Sequence, residues 1–195
     1  VNQMRSAINW ATDIAKAFDG DAKLIVYYSG HGIPDEKTGN AYLLPSDGIV
    51  GDFRSAYSLD ELYKQLESVS AKQTTVFLDA CFSGASKDGK MMLADSRGVA
   101  IKAKAAIPKG NMIVFSACSG DETAFPYKKK KHGMFTYFLL KKLQETKGNV
   151  SMEELGAYIN KQVRQTSMIE NRKIQTPTIN VSASIHDKMK VINLQ

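Results

Sequence analysis

Two side chains of complementary chemistry, a histidine and a cysteine, each follow a short apolar run of the sequence. His31 is the second-last residue of the segment KLIVYYSGHG, and Cys81 lies near the end of TTVFLDACFSG. An imidazole accepts or donates a proton near neutral pH, and a thiolate attacks carbonyl carbon. The pair therefore predicts hydrolysis through a cysteine nucleophile, if the fold brings His31 and Cys81 together.

Glycines flank the histidine on both sides and indicate a tight turn. Gly30 and Gly32 allow the backbone beside His31 to approach a substrate closely, because neither carries a side chain. We expect the backbone N–H groups of Gly32 and Cys81 to hold the oxyanion of the transition state. Donors of this kind contribute about 3 kcal/mol each to transition-state stabilisation.

The elements that must position these groups can be predicted from the hydrophobic pattern. The runs before His31 and Cys81 are apolar on both faces, which is typical of strands buried in a parallel sheet. Reactive groups gather at the carboxyl ends of such strands. The pattern predicts helices over 2–18, 59–69, 133–143 and 151–163, a turn over 33–40, and strands over 23–29, 41–44, 74–79, 111–117 and 176–181. This alternation predicts an α/β sandwich with a mostly parallel sheet.

The composition excludes several other classes of protein. Two cysteines in 195 residues do not form a disulfide framework, and we interpret Cys118 as a core thiol. The lysine run 128–131 contributes to a net charge of +6, but no stacking aromatics or recognition motif accompany it, so we expect no nucleic-acid partner. No apolar run approaches the roughly 20 residues that cross a bilayer. We expect a soluble protein without a membrane partner. Its compartment is unknown, because the natural N-terminus is not visible, and the cytoplasm is the default expectation.

Three segments carry a resemblance to a known family. YYSGHG, FLDACFSG, and IVFSACSGDETAF with HGMFTYFLLKKL resemble the caspase-type cysteine peptidases. They are closer to metacaspases and bacterial caspase-like peptidases than to animal caspases. The resemblance implies a catalytic dyad of Cys81 and His31 and a three-layer α/β/α sandwich. It also implies one peptidase domain over 1–195, with a large-subunit-like part at about 1–86, a linker at about 87–110 and a small-subunit-like part at about 111–195.

The resemblance also implies a substrate preference. Asp79 stands where animal caspases have glutamine, and in metacaspase-like members this acid helps to bind lysine or arginine. Ser29 matches a further pocket-lining position. Asp121 and Glu122 follow the next strand, either as negative charges in the pocket wall or as solvated loop acids. We therefore expect peptide or protein substrates with Lys or Arg before the scissile bond.

An enzyme of this preference would find cleavage sites in its own linker. The candidate residues for autocleavage are Lys87, Lys90, Arg97, Lys102 and Lys104. Caspase-type folds also begin with a strand–helix unit that this chain does not supply. We expect a separate N-terminal fragment of the same precursor to supply it, unless the sequence is incomplete.

No cofactor is required by this chemistry, and no metal site is expected. Many metacaspases use calcium, but Asn40 stands where an aspartate is expected, and Asp60 and Asp88 match only in part. The alternative to an active peptidase is a catalytically silent caspase-like module that binds protein partners. The presence of both His31 and Cys81 argues against it.

Overall fold

A computed structural model describes residues 1–83, 107–120 and 122–195 of the chain. Its main helices and strands are, in chain order, α1 (Asn2–Lys16), β1 (Lys23–Ser29), β2 (His31–Pro34), β3 (Ala41–Leu44), β4 (Tyr57–Ser58), α2 (Leu59–Glu67), β5 (Gln73–Asp79), β6 (Met112–Ser116), β7 (Pro126–Tyr127), β8 (His132–Gly133), α3 (Met134–Thr146), α4 (Met152–Asn171) and β9 (Thr178–Val181). Short 3₁₀ helices cover Phe53–Ser55, Lys128–Lys130 and Ala183–Lys188.

A four-stranded sheet in the order β1-β5-β6-β9 forms the centre of the fold. β1, β5 and β6 run parallel, and β9 runs antiparallel to β6. The strands that precede His31 and Cys81 are therefore direct neighbours, which meets the condition for a cysteine–histidine pair. Strands β2, β3 and β4 form a small antiparallel sheet, and β7 pairs with β8.

Helices cover the two faces of the central sheet and make three layers. One apolar cluster joins α1 and α2 to one face and includes Leu62, Leu66, Val76, Leu78 and Val114. The other joins α3 and α4 to the opposite face and includes Phe77, Phe115, Phe135, Phe138 and Leu155. The predicted three-layer α/β/α sandwich with a mostly parallel sheet is confirmed.

Serine caps set the starts of two helices where the sequence predicts them. Ser58 Oγ accepts a hydrogen bond from Glu61 N at 3.4 Å, and Ser151 Oγ accepts one from Glu154 N at 3.2 Å. Each cap satisfies a backbone donor that has no partner within the helix. Helix α4 continues to Asn171, eight residues beyond the predicted end at 163.

Two predictions about local structure are wrong. β1 is not buried on both faces, because it lies at the end of the sheet and its residues alternate between exposed and half-buried. Ile25 is 54% exposed, whereas every residue of β5 is buried. The predicted turn over 33–40 is also too long. His31–Pro34 forms strand β2, which pairs with β3, and the turn is confined to the residues between them.

The surface features follow the chemistry of their side chains. The lysine run 128–131 is exposed, and Lys129 pairs with Glu170 at 2.8 Å. Both His132 and His186 are exposed. Within the described ranges, we find no helix whose length and apolar character would suit a bilayer crossing. The division of the chain into large-subunit-like, linker and small-subunit-like parts stays a prediction.

Candidate active site

The carboxyl ends of β1 and β5 lie side by side. Ser29 is the register partner of Asp79, and the backbone N–H of Gly30 donates to the carbonyl oxygen of Asp79 at 3.2 Å. His31 follows two residues after Ser29, and Cys81 two residues after Asp79. The fold therefore brings the histidine turn and the cysteine segment to the same edge of the sheet.

The backbone of the histidine turn is held by a tyrosine of the preceding strand. The hydroxyl of Tyr28 lies 2.7 Å from the carbonyl oxygen of His31 and 2.9 Å from that of Leu44, with its proton directed to this carbonyl pair. Burial raises the pKa of Tyr28 to about 12. A side chain at Gly30 would bring its Cβ to within 2.5 Å of the Tyr28 hydroxyl oxygen. His31 itself is exposed at the start of β2.

Gly32 lies directly against the cysteine segment. A Cβ at this position would come within 2.5 Å of the carbonyl oxygen of Cys81 and within 2.5 Å of the Phe82 ring. Only glycine allows this approach, because the backbone oxygen of Cys81 leaves no space for a Cβ. The sequence predicts that Gly32 leaves room for a substrate. In the structure, the group that approaches Gly32 closely is the cysteine segment itself.

The thiol of Cys81 is packed beneath the loop that follows β6. The backbone N–H of Ala124 donates to Cys81 Sγ at 2.8 Å. The same sulfur lies 3.6 Å from the carbonyl oxygen of Ala124. Cys81 is 2% exposed. The sulfur of Cys81 is therefore covered by the loop around Ala124.

Cys118 lies beside the candidate nucleophile. Its sulfur is 3.6 Å from the carbonyl oxygen of Ala80 and 3.4 Å from that of Glu122, and both cysteines are thiols rather than a disulfide. A hydrogen bond with Cys81, together with burial, raises the pKa of Cys118 well above its ordinary value. Cys118 is therefore a neutral thiol at physiological pH, in agreement with its interpretation as a core residue.

Asp79 is 1% exposed and lies against the first turn of α3. Thr136 Oγ1 donates to Asp79 Oδ2 at 2.5 Å. A buried carboxylate needs such donors, because burial without them is costly. The acid that the resemblance places in the substrate pocket is thus held in a defined orientation by the fold.

The other predicted pocket residues have different surroundings. Ser29 is exposed at the end of β1. Glu122 accepts hydrogen bonds from Thr176 N at 2.5 Å and from Thr176 Oγ1 at 2.9 Å, which ties the loop after β6 to the chain before β9. Asp121 lies outside the described residues, as do the five candidate autocleavage residues Lys87, Lys90, Arg97, Lys102 and Lys104.

Sequence reasoning missed the residues that support the site. In the sequence, Tyr28 is one residue of an apolar strand and Thr136 is one residue of a helix. Their hydroxyl groups gain a role only when other elements pack against them. Gln175 is fully buried, accepts from Phe125 N and donates to Ala117 O, both at 2.8 Å. It braces the loop over Cys81. The only sequence signal for Gln175 is the presence of a polar amide side chain shortly before the last strand.

The side chains that the structure describes offer no cluster of three or more histidine, cysteine or acidic residues suited to a metal ion. Asp60 is exposed in the first turn of α2, Asn40 precedes β3, and Asp88 lies outside the described residues. The absence of a calcium requirement stays a prediction.

A thiol and an imidazole at the ends of neighbouring parallel strands are the arrangement of a cysteine hydrolase with an α/β fold. Residues 1–188 match the family model of the caspase domain, and the chain belongs to the caspase family. This is a family of cysteine peptidases, whose substrates are proteins and peptides. No curated protein matches the chain.

Solved structures are similar to the chain in fold. A crystal structure of a protein from Geobacter sulfurreducens superposes with a TM-score of 0.59 at 20% identity, covering 91% of this chain and 72% of that one. Caspase-1 from Spodoptera frugiperda superposes with a TM-score of 0.56 at 16% identity, covering 92% of this chain and 68% of that one. At these identities the likeness supports the fold alone.

Proposed function

We propose that the chain is an active cysteine endopeptidase that cleaves after arginine or lysine. The observation that carries the proposal is the buried carboxylate of Asp79 at the end of β5, two residues before the thiol of Cys81. Ser29 is its register partner on the strand that leads to His31. Nucleophile, base and cation-binding group would then come from one edge of the sheet.

In the proposed reaction Cys81 Sγ attacks the scissile carbonyl carbon and its proton passes to His31. The backbone N–H groups of Gly32 and Cys81 stabilise the oxyanion. The tetrahedral intermediate collapses as His31 protonates the leaving amine, which leaves a thioester on Cys81. Water, deprotonated by His31, then hydrolyses the thioester and restores the thiol.

The proposed preference follows from charge. A carboxylate at the base of a pocket favours a guanidinium or ammonium group through charge-assisted hydrogen bonds. Asp79 is the principal acid, Ser29 lines the pocket, and Asp121 and Glu122 add negative charge to its wall. Because Glu122 is bonded to Thr176, we assign it a contribution through its charge rather than through direct contact.

Fluorogenic peptides that differ only in the residue before the scissile bond test this proposal. We expect turnover with Arg and Lys, little with Leu or Asp, none in Cys81→Ala, and a loss of the basic preference in Asp79→Asn. Cleavage after Asp alone would keep the peptidase assignment and overturn the pocket assignment. Silence of the folded wild-type chain with all four peptides would point either to the absence of the N-terminal fragment proposed below or to a protein-binding role.

Self-processing is the second part of the proposal. Its support is the set of five basic residues between 87 and 104, which match the proposed preference. Intact mass after incubation should show cleavage in the wild type and none in Cys81→Ala. Equal, stable masses would contradict self-processing without touching the activity on peptides. The same assay with calcium or with EDTA should give equal rates, since we propose no metal requirement.

We also propose that a separate N-terminal fragment pairs with the open edge of β1. Among the described residues β1 pairs with β5 alone, and Ile25 and Tyr27 are 54% and 49% exposed. An unpaired strand edge readily accepts another strand. Hydrogen exchange should be fast at the outward amides of residues 23–29 in the isolated chain and slow once such a fragment is bound.

A further inference from the structure

The hydroxyl of Thr136 fixes one oxygen of the Asp79 carboxylate. Thr136 is buried in the first turn of α3, and its Oγ1 donates to Asp79 Oδ2 at 2.5 Å. A hydrogen bond from this hydroxyl restricts rotation of the carboxylate about its Cβ–Cγ bond. The carboxylate is therefore oriented before any substrate arrives.

A second hydroxyl stands behind the first. Tyr27 Oη lies 2.7 Å from Thr136 Oγ1. A threonine hydroxyl carries one proton, and that of Thr136 is given to Asp79, so Tyr27 must be the donor in this contact. The three side chains form a directed chain, from Tyr27 to Thr136 to Asp79. Its members come from β1, α3 and β5.

The backbone of α3 closes around the same carboxylate. A Cβ at Gly133, the residue before the helix, would fall on Asp79 Oδ2. The carboxylate thus lies against the start of a thirteen-residue helix, whose N-terminus carries partial positive charge and favours an anion. No side chain caps α3 at Gly133.

We propose that Thr136 is a positioning residue for substrate specificity, which holds Asp79 for the basic side chain of the substrate, and that Tyr27 supports it. This inference rests on the proposed function. Pairing between a carboxylate and a guanidinium depends on the relative orientation of the two planar groups. An oriented acceptor also costs less ordering on binding than one that rotates freely. Thr136 thus acts through Asp79 and need not touch the substrate.

Two substrates that differ only in charge test the inference. We would measure kcat and KM for matched peptides with arginine or citrulline before the scissile bond, because citrulline keeps the shape of arginine without its charge. The enzymes are the wild type, Thr136→Val, Thr136→Ser and Tyr27→Phe. Valine keeps the volume of threonine and removes the hydroxyl, whereas serine keeps the hydroxyl and serves as the matched control.

The readout is the ratio of kcat/KM for the arginine peptide to that for the citrulline peptide. We expect this ratio to fall about 10-fold in Thr136→Val, the effect of losing one hydrogen bond to a charged group. It should fall about 3-fold in Tyr27→Phe, which loses a bond between neutral groups, and stay near the wild-type value in Thr136→Ser. The change should appear in KM for the arginine peptide, with kcat and the citrulline kinetics retained.

The outcomes separate this inference from the proposed function. A high wild-type ratio that persists in Thr136→Val overturns the positioning role and leaves the basic preference in place. Equal losses on both peptides would show that Thr136 supports only the fold, which also overturns the inference. A wild-type ratio near one overturns the basic preference and this inference together. If Thr136→Val fails to fold in a thermal melt, the half-exposed Tyr27→Phe decides by the same ratio.

Discussion

Tyr28 links the histidine turn to the apolar core beneath it. Its ring packs with the cluster formed by α2, β5 and β6, while its hydroxyl reaches the backbone carbonyls of His31 and Leu44. These contacts hold the end of β1 and the end of β3 at a fixed separation. The position of His31 therefore depends on a residue that takes no part in the chemistry.

Replacement of Tyr28 by phenylalanine should weaken this link. We expect Tyr28→Phe to lower the free energy of unfolding by about 1–2 kcal/mol, because two carbonyl groups lose their donor. We expect kcat on the preferred peptide to fall about 10-fold as His31 loses its fixed backbone. Urea unfolding and peptide kinetics measure the two effects.

Tyr57→Phe is the matched control for this prediction. Tyr57 is fully buried, and its hydroxyl bonds to Gln65 rather than to the histidine turn. The control should lose stability and keep kcat. If Tyr28→Phe keeps the wild-type kcat, or if both variants lose it equally, Tyr28 does not position His31.

The same phenol predicts a loss of stability at alkaline pH. Burial raises the pKa of Tyr28 from 10.0 to about 12, so the folded state favours the neutral phenol. Its contribution to stability is complete below pH 10 and is lost as the pH rises through about 12. Burial also raises the pKa of Tyr57 to about 12. Urea unfolding over this interval should show a falling free energy, with a shallower slope in Tyr28→Phe; equal slopes would contradict the assignment.

At the scale of elements, the start of β2 lies in close contact with the cysteine segment. Gly32 leaves no room for a side chain beside Cys81 and Phe82. We expect Gly32→Ala to push the two segments apart, with a loss of about 1–3 kcal/mol in stability. Because a shift of about 1 Å costs on the order of 100-fold in rate, kcat should fall by that factor.

Gly156→Ala is the control for crowding elsewhere. Its Cβ would meet the flexible end of Ile179, between α4 and β9 and on the far side of the sheet order from β1. The end of the Ile179 side chain can rotate away from the new methyl group. Alanine also stabilises a helix relative to glycine by up to about 1 kcal/mol. Peptide kinetics should remain at the wild-type level. Wild-type kinetics in Gly32→Ala would show that the turn does not need its close approach.

The sequence is most informative where periodicity acts locally. Apolar runs locate β1 and β5, and the helical pattern locates the starts of α2 and α4, because these signals reside in consecutive residues. The exposure of Ile25 could not be predicted this way, since it depends on which element covers a strand. The link between Thr136 and Asp79 joins residues 57 positions apart and appears only after α3 packs on the sheet.

At the scale of the whole molecule, the described part of the central sheet is covered at its central strands and open along β1. β5 and β6 are buried between the helices of the two outer layers. Helices α3 and α4 cover β5 and β6 on one face of the sheet, but Ile25 and Tyr27 of β1 are exposed on that same face. An exposed apolar strand at a sheet edge favours association between chains. The isolated protein should therefore self-associate as its concentration rises.

A single charge on this edge should reduce the association. We expect Ile25→Lys to lower light scattering at high protein concentration and to change the free energy of unfolding by no more than about 0.5 kcal/mol, as for most surface substitutions. Ile113→Lys, which buries the same charge at a fully buried position of β6, should prevent folding. Unchanged scattering in a folded Ile25→Lys would exclude β1 as the associating edge.

The order of the strands has a consequence for a chain that has been cut. β5 and β6 are hydrogen-bonded neighbours from Thr74 and Met112 to Leu78 and Ser116, yet residues 84–106 lie between them in the sequence. A break in that interval leaves each piece with one of the two central strands. The pieces would remain together as a noncovalent heterodimer, one particle on size exclusion and two bands on a denaturing gel. Neither piece would keep a native core alone, because each completes the other's sheet.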